Sequence, residues 1–301
     1  MIEIILTALA VDVLFGEPPG FIHPVRYIGT LTSIQRSFFD SRDHEMLWGY
    51  FIVFSTVSVT VMFVYCYLHL ASLLPFILRI LALSVLLKTT FSVRFLHQAA
   101  SEVRIALEAG DLQKGRESVS EIVSRDTSDL SEKEVISAAC ESVAESITDS
   151  IVSPLFYYSV LGVYGAAVYR SINTLDSMVG YKSMRIGTVS ARLDDVLNFI
   201  PSRLAAALIL LSGILHGCDW RNGLKIFLRD RNKTESPNAG NTMAMMAGVL
   251  HVTFEKRGYY TLGHGRALEP HHIADTLTVM KGSTLILVVI LFLVEVVLWK
   301  V

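Results

Sequence analysis

The chain has little charge and no excess of either sign. Asp, Glu, Lys and Arg together make up 18% of its 301 residues, and 26 basic against 28 acidic residues give a formal net charge of −2. Proteins that bind nucleic acid through its phosphates usually carry a basic excess. We therefore expect no nucleic-acid partner.

Cysteine is scarce, and common catalytic signatures are missing. Cys66, Cys140 and Cys218 lie far apart in the sequence, so they fit neither a disulfide framework nor a cysteine-based zinc site. The sequence also lacks the phosphate-binding loop, the dinucleotide fingerprint, the Gly-x-Ser-x-Gly elbow and the His-Glu-x-x-His zinc motif. The chain therefore carries none of the standard sequence signatures of nucleotide-binding proteins and hydrolases.

Apolar residues dominate what is present. They make up 52% of the chain, and the mean hydropathy is +0.48, which is more apolar than a typical soluble protein. Since about 20 apolar residues span a bilayer as a helix, we predict an all-α, polytopic membrane protein that forms a single integral membrane domain over residues 1–301. The candidate spans are 47–74, 76–87, 151–168, 199–215 and 285–298.

Two polar regions interrupt the apolar runs. Residues 92–150 alternate charged and apolar side chains at helical spacing, which predicts a water-facing helical insert. Residues 217–282 are interpreted as a polar loop region. Their local basic excess places them on the cytoplasmic side by the positive-inside rule.

The N-terminal apolar segment contains one ionisable residue, Asp12. We interpret residues 1–15 as a short span or an interfacial helix. Asp12 either faces protein, where an ionisable group at membrane depth is a functional candidate, or lies solvated at the membrane edge. His23 follows closely in the first loop and is a candidate site residue.

The order of the apolar runs raises a problem of parity. If every run crossed the bilayer, the polar block 173–195 would lie on the opposite face from the blocks around Glu141 and Asn238. One catalytic site would then be divided by the membrane. We therefore predict that 151–168, which contains Pro154 and two glycines, does not simply cross.

Two polar blocks place several functional groups on one helical face. Glu141, Glu145 and Asp149 are spaced by four residues, so on an α-helix they drift by only about 40° per step. Such a row of like charges suits a hard cation such as Mg²⁺, although a solvated acidic face remains the alternative. A second set is spaced by three and would also share a face on a helix: Arg170, Asn173 and Asp176. The alternative is that these residues only snorkel to the membrane edge or cap helices there.

A third block, 236–240, predicts a turn followed by a helix with Asn238 as its N-cap. The free N–H groups at such a helix start can bind an anion. From local physics alone, capping is the simpler interpretation.

Taken in order, these blocks resemble one family. They are Asp12 to Pro19 with His23-Pro24, Glu141-Ser-Val-Ala-Glu145 to Phe156, Asn173-Thr-Leu-Asp-Ser-Met-Val-Gly-Tyr181, Ser190-Ala-Arg-Leu-Asp-Asp195, and Ser236-Pro-Asn-Ala-Gly240 with Met246-Ala-Gly248. The sequence resembles the CbiB/CobD-type cobalamin-biosynthesis family, adenosylcobinamide-phosphate synthase, over nearly its whole length.

The resemblance implies a multi-pass enzyme of the cell membrane whose chemistry faces the cytoplasm. It implies an ATP-dependent ligase that joins a propionate carboxylate of adenosylcobyric acid to the amine of aminopropanol phosphate or a related amino alcohol. ATP would be a cosubstrate with Mg²⁺, the lipid bilayer a partner, and other cobalamin-biosynthesis enzymes further partners. The rival interpretations are a membrane transporter or channel for a small polar or corrinoid solute, and a non-catalytic scaffold.

Under this resemblance the polar residues receive expected roles. The metal or general-base candidates are Glu141, Glu145, Asp149, Asp176 and Asp194, with Glu141, Glu145 and Asp176 as the metal ligands. The phosphate- and substrate-binding candidates are His23, Arg170, Asn173, Lys182, Arg192, Arg231 and Asn238.

Overall fold

A computed structural model describes residues 1–21, 23–38, 44–180 and 185–298 and is almost entirely helical. In chain order its elements are α1 (Ile2–Phe15), α2 (Pro24–Ser37), α3 (Glu45–Ser72), α4 (Phe76–Lys88), α5 (Arg94–Glu108), α6 (Leu112–Ser120), α7 (Glu132–Ile147), a π-helical segment (Thr148–Val152), α8 (Ser153–Val179), a 3₁₀ turn (Arg185–Gly187), α9 (Thr188–Leu197), α10 (Phe199–Leu215), α11 (Trp220–Asp230), α12 (Ala239–Val249), β1 (Thr253–Lys256), β2 (Tyr260–Gly263) and α13 (His271–Leu298). The all-α prediction is confirmed, apart from one short hairpin.

The chain divides into two compact units. The first contains Met1–Ser92 and Ser153–Asn198, and the second contains Val93–Val152 and Phe199–Val301. In the first unit α1 packs against α4, and α8 packs against α2, α3 and α9. In the second unit α12 packs against α10 and α11, while α7 and α10 both contact α13. The regions 92–150 and 217–282 fall within the second unit apart from residue 92.

Three helical stretches of the described residues are long and apolar enough to cross a membrane. They are Glu45–Ser72, Glu132–Val179 and His271–Val297, and the interrupted pair Arg185–Leu197 and Phe199–Leu215 would form a fourth if counted as one broken span. Helix α3 carries large exposed apolar side chains such as Phe54, which is 74% exposed. Such a surface is suited to lipid contact, so the chain is a membrane protein.

The segment predicted to follow a bent path has two irregularities. A π-helical turn occupies Thr148–Val152, and Gly162 interrupts α8 with a φ of 62°. A positive φ is strained for residues with a Cβ, so glycine suits this break. Its course through the bilayer stays a prediction.

The region 217–282 is not the polar loop that we expected. It forms α11, α12, the hairpin of β1 and β2, and the first turns of α13. The hairpin pairs Thr253 with Gly263 and Lys256 with Tyr260. These elements form because apolar residues such as Ile226 and Phe254 are buried among the polar ones, and because Gly258 adopts the positive φ of the turn.

Helix α13 also begins earlier than the apolar run 285–298 indicated. It starts at His271, and its polar first half is accommodated because hydroxyl groups donate to carbonyls one turn back. Thr276 donates to His272 and Thr284 to Met280, at 2.8 and 2.9 Å. Hydroxyl side chains satisfied in this way can be buried in an apolar helix.

The end of α11 is attached to the hairpin through Asp230. This fully buried carboxylate accepts hydrogen bonds from Arg229 and from the backbone N–H of Gly263, and it pairs with Lys233 at 2.6 Å. Burial alone would raise the pKa of Asp230, but these hydrogen bonds outweigh it and lower the pKa to about 2. The carboxylate is therefore charged in the folded chain at neutral pH.

We expect Asp230→Asn to lower the free energy of unfolding by about 2 kcal/mol at pH 7, because hydrogen bonds to a charged group contribute about 1.5–3 kcal/mol. The folded pKa lies below the usual Asp value of 3.8. The stabilisation is therefore complete above about pH 4 and is lost as the pH falls towards 2. Unfolding in detergent, compared between wild type and variant from pH 7 to 3, measures this difference.

Asp129→Asn is the matched control, since Asp129 is exposed and the change in charge is the same. A stability difference between wild type and Asp230→Asn that stayed constant down to pH 3 would contradict the role given to the carboxylate.

Candidate functional site

Three of the predicted site residues meet where α8 faces α9. Nδ2 of Asn173 donates to Oδ1 of Asp194 at 3.2 Å, and Nη1 of Arg170 donates to Oδ1 of Asn173 at 3.3 Å. Nδ2 of Asn198 donates to the second oxygen of Asp194 at 2.9 Å. Asp194 is thus a half-buried carboxylate oriented by two amides, with a guanidinium behind one of them.

Asn198 is in turn held by side chains of α8. Its Oδ1 accepts hydrogen bonds from Ser153 at 2.6 Å and from Tyr169 at 2.9 Å. The ring of Tyr169 stacks on that of Tyr157 with centroids 5.4 Å apart, and the hydroxyl of Tyr157 donates to the carbonyl of Leu197. These contacts fix the amide that points at Asp194, as a pre-organised site requires.

Two more predicted residues of this unit, Asp176 and Arg192, lie on the same helices. Asp176 is half-buried on the last turns of α8, and a Cβ at Gly180 would approach its Oδ1 to 2.0 Å. Only glycine fits beside Asp176 in this backbone. Arg192 is exposed on α9, and Lys182 lies outside the described residues.

A cavity of about 350 Å³ opens among α2, α3, α4 and α8. Its lining is mostly aliphatic, but it also includes Arg170 and Thr56. Nε of Arg170 and Oγ1 of Thr56 are buried and have no hydrogen-bond partner among the described residues. The cavity therefore combines an apolar wall with two buried polar atoms that no described residue satisfies.

A second polar cluster lies near the N-terminus and is centred on Lys88. This lysine is 1% exposed, and its Nζ lies 2.9 Å from Asp12 and 2.8 Å from Glu17. Asp12 is fully buried, so of the two interpretations of Asp12 the protein-facing one is confirmed. Two carboxylates therefore share the one ammonium group of Lys88.

His23 joins this cluster through Glu17. Its Nε2 lies 3.1 Å from Oε2 of Glu17, while Nδ1 accepts the N–H of Val25 at the start of α2. Burial raises the pKa of Glu17, but hydrogen bonds from His23, Lys88 and Ser92 outweigh it and lower the pKa to about 2. In this arrangement His23 orients a carboxylate and caps a helix, while its role in binding substrate stays a prediction.

In the second unit, Glu141 is a buried carboxylate held on both oxygens. Ser137 donates to Oε1 at 2.5 Å, and the hydroxyl of Tyr260 donates to Oε2 at 2.6 Å. Nη2 of Arg125 lies 3.9 Å from Oε1. Burial and the charge of Glu141 raise the pKa of Tyr260 well above its ordinary value, so this phenol remains a hydrogen-bond donor.

The acids predicted to share a face with Glu141 are placed differently. Glu145 is exposed on α7, and Asp149 is half-buried in the π-helical turn. A π turn contains more residues than an α turn, so the angular step between successive residues changes at Thr148. The single acidic face predicted for all three acids stays a prediction.

Asn238 precedes α12, as predicted, but its side chain makes no capping hydrogen bond. The hydroxyl of Ser236 accepts the N–H groups of Asn238 and Ala239 instead. Oδ1 of Asn238 accepts from Ser202, whose hydroxyl also accepts from Asn241. The amide thus links α12 to α10, because a polar side chain buried this deeply requires partners.

Arg231 lies just beyond α11, close to the start of α12. Its guanidinium is 5.0 Å from the centroid of the Phe227 ring, and a Cβ at Gly240 would approach its backbone carbonyl to 2.1 Å. Gly240 therefore permits the backbone of Arg231 to approach the start of α12 closely, while its guanidinium lies over Phe227.

The sequence did not single out Lys88, Ser137, Ser202 or Tyr260. Lys88 did give a signal, because it is a charged residue at the end of the apolar run 76–87. A protein-facing Asp12 would also need a partner of opposite charge. Tyr260 gave none, because it lies 119 residues from Glu141 in the chain. The catalytic and metal-binding roles assigned to individual acids stay predictions.

Comparison with known proteins places the chain among relatives over nearly its whole length. A family model described as "CobD/Cbib protein" matches residues 5–289. "Cobalamin biosynthesis protein CobD" from Dehalococcoides mccartyi (strain CBDB1) is 39% identical over 95% of each chain. "Probable cobalamin biosynthesis protein CobD" from Methanocaldococcus jannaschii is 38% identical over 98% of each chain. No solved structure matches.

Lys88→Met should destabilise the first unit by about 3–5 kcal/mol, because removing one partner of a buried ion pair leaves uncompensated charge. Thermal unfolding in nanodiscs measures the loss. Arg79→Met is the control, since it removes a cation from an exposed position of the same helix. Equal effects of the two substitutions would contradict a structural role for the cluster around Lys88.

Tyr260→Phe should lower the free energy of unfolding by about 1.5–3 kcal/mol through loss of a hydrogen bond to a charged, buried carboxylate. Tyr259→Phe provides a neighbouring control, because Tyr259 is 64% exposed and should change stability by less than about 0.5 kcal/mol. Chemical unfolding of the two variants side by side measures the difference. Indistinguishable curves would show that the contact with Glu141 contributes nothing.

Proposed function

The chain belongs to the CobD/CbiB family and has a role in cobalamin biosynthesis, and on this basis we propose that it is an adenosylcobinamide-phosphate synthase. The reaction joins a propionate carboxylate of adenosylcobyric acid to the amine of aminopropanol phosphate, or of a related amino alcohol. ATP activates the carboxylate and is cleaved in the reaction. The products are the amide, the nucleotide that remains of ATP and the phosphate released from it.

The observation that carries the proposal is the arrangement around Asp194. Two amides hold its carboxylate in one orientation, and Arg170 lies behind Asn173. An alkylamine is protonated at neutral pH, so it must lose a proton before its lone pair attacks the carbonyl carbon. An oriented carboxylate at a half-exposed position can accept that proton.

Cations and helix starts supply the groups that recognise phosphate. Arg170 in the first unit, and Arg231 beside the start of α12 in the second, have the planar donors that match phosphate oxygens. Asn173 and Asn238 are buried amides with defined partners, which suits the positioning of a substrate. Lys182 and Arg192 retain their proposed phosphate-binding role.

The cavity of the first unit supports a substrate with an apolar portion. Its volume of about 350 Å³ is too small for a whole corrinoid, so it would take only part of one. Pockets that combine apolar walls with a few polar groups are typical small-molecule sites. The buried Nε of Arg170 offers a donor to an acceptor atom of the bound portion.

Mg²⁺ fits some of the proposed ligands better than others. Glu145, Asp149, Asp176 and Asp194 have the carboxylate chemistry that Mg²⁺ prefers. Glu141 fits less well, because both its oxygens already accept hydrogen bonds. When bound with ATP, the ion would neutralise charge on the phosphate oxygens.

We place the chemistry at the cytoplasmic surface of the cell membrane, where ATP is available. The basic residues of 217–282 agree with this side under the positive-inside rule. Other cobalamin-biosynthesis enzymes would then be able to deliver the corrinoid and accept the product from the same surface.

The test uses the full chain in nanodiscs with adenosylcobyric acid, aminopropanol phosphate, ATP and Mg²⁺, with products identified by mass spectrometry. We expect an ATP-dependent amide. Asp194→Asn should reduce its rate by about 10²-fold or more, as expected for loss of a general base, while Asp129→Asn should not.

Other outcomes would overturn separate parts of the proposal. Full activity in Asp194→Asn would remove Asp194 from the chemistry but leave the ligase intact. Corrinoid binding without any amide, tested with several amino alcohols, would contradict the ligase and favour a transporter.

A further inference from the structure

The first turn of α13 brings together three side chains that can bind a metal. One potential ligand atom each of His271, His272 and Asp275 lies within 4.8 Å of the others. No other group of three His, Cys, Asp or Glu residues among the described parts of the chain is gathered in this way. Two imidazoles and a carboxylate differ from the all-oxygen ligand set considered for Mg²⁺.

Glu269 contacts both histidines from outside the cluster. Its Oε2 lies 3.3 Å from Nδ1 of His271, and its backbone carbonyl lies 3.2 Å from Nδ1 of His272. Histidines that bind a metal through one nitrogen almost always donate the other N–H to a carboxylate or a backbone carbonyl. Glu269 offers one acceptor of each kind, which leaves Nε2 of both rings to serve as the ligand atoms.

The burial of the cluster suits a site that solvent ions can reach. His272 is 3% exposed and is fixed by its surroundings, whereas His271 and Asp275 are exposed. The two imidazole rings have centroids only 4.0 Å apart. One ligand is therefore held in place, and the other two can adjust around an ion.

Helix capping explains only part of this arrangement. Nδ1 of His272 also lies 3.0 Å from the backbone N–H of Glu269, and a side chain that accepts such an N–H stabilises a helix start. Capping uses one nitrogen of one ring. It accounts neither for the contact between His271 and the Glu269 carboxylate nor for the position of Asp275.

We propose that His271, His272 and Asp275 form a binding site for a divalent transition metal of borderline softness, represented by Zn²⁺. Imidazole nitrogens favour such ions over Mg²⁺. Three protein ligands leave a coordination position open for water or an anionic oxygen. Binding selects the tautomer in which Nδ1–H of His272 donates to the carbonyl of Glu269. The site is independent of the ligase proposed above.

The experiment uses the full chain in nanodiscs, with any affinity tag removed and bound metals stripped by a chelator. ZnCl₂ is titrated in competition with a chromophoric chelator, and CoCl₂ binding is followed by visible absorption. We expect one saturable Zn²⁺ per chain, retained in excess Mg²⁺, and a Co²⁺ spectrum that is altered when a ligand is removed.

Two substitutions at exposed positions test the ligands without disturbing the buried His272. His271→Asn and Asp275→Asn should each weaken Zn²⁺ binding by about tenfold or more, because even outer-shell partners of a ligand contribute about 10–100-fold. His251→Asn is the matched control. His251 is 45% exposed against 55% for His271 and pairs with Asp219 at 3.5 Å, but it belongs to no group of three ligands.

The proposal is overturned if His271→Asn and Asp275→Asn bind Zn²⁺ as tightly as wild type. It is also overturned if His251→Asn weakens binding as much as His271→Asn does, or if Zn²⁺ binding does not saturate at one per chain. Either result would indicate surface ions only. Unchanged thermal unfolding of the three variants without metal confirms that each comparison concerns ligands rather than folding.

Discussion

The structure depends on one constraint, which is that polar groups buried among apolar helices need partners inside the protein. Little water is available there, and an unpaired charge is far more costly than an unpaired amide. Lys88 accordingly lies between Asp12 and Glu17. By the same constraint Asp194 is hydrogen-bonded by two amides and Glu141 by two hydroxyls. These buried polar residues therefore occur in hydrogen-bonded clusters.

The helical membrane architecture could be predicted from sequence because it depends on local patterns. Apolar length located α3, and the charged periodicity of the insert located helices within 92–150, among them α7, whose capping box joins Ser131 and Glu134. Residues three apart on α8 share a face in the structure, as Arg170 and Asn173 show. Where one period persists over several turns, sequence suffices.

Predictions failed where the backbone departs from one regular period or where contacts span a long stretch of sequence. The π turn at Thr148–Val152 interrupts the regular α-helical period, and no residue type in that segment indicates it in the sequence. The start of α13 was predicted too late because the hydroxyl side chains of its first half make that segment polar in the sequence. Their hydrogen bonds to the helix backbone, which allow them to be buried, are visible only in the structure. Tyr260 reaches Glu141 from a hairpin inside a region that lacked an apolar signal, so only the folded chain pairs them.

The unsatisfied atoms in the cavity of the first unit bear on how that cavity chooses its occupant. Thr56 and Arg170 each leave one buried polar atom without a partner among the described residues, and such an atom costs about 1–3 kcal/mol. A purely apolar molecule would fill the cavity but leave the desolvation cost of these two atoms unchanged. One that also presents an acceptor would relieve it, so any such occupant of the cavity would be favoured over close analogues that leave these atoms unsatisfied.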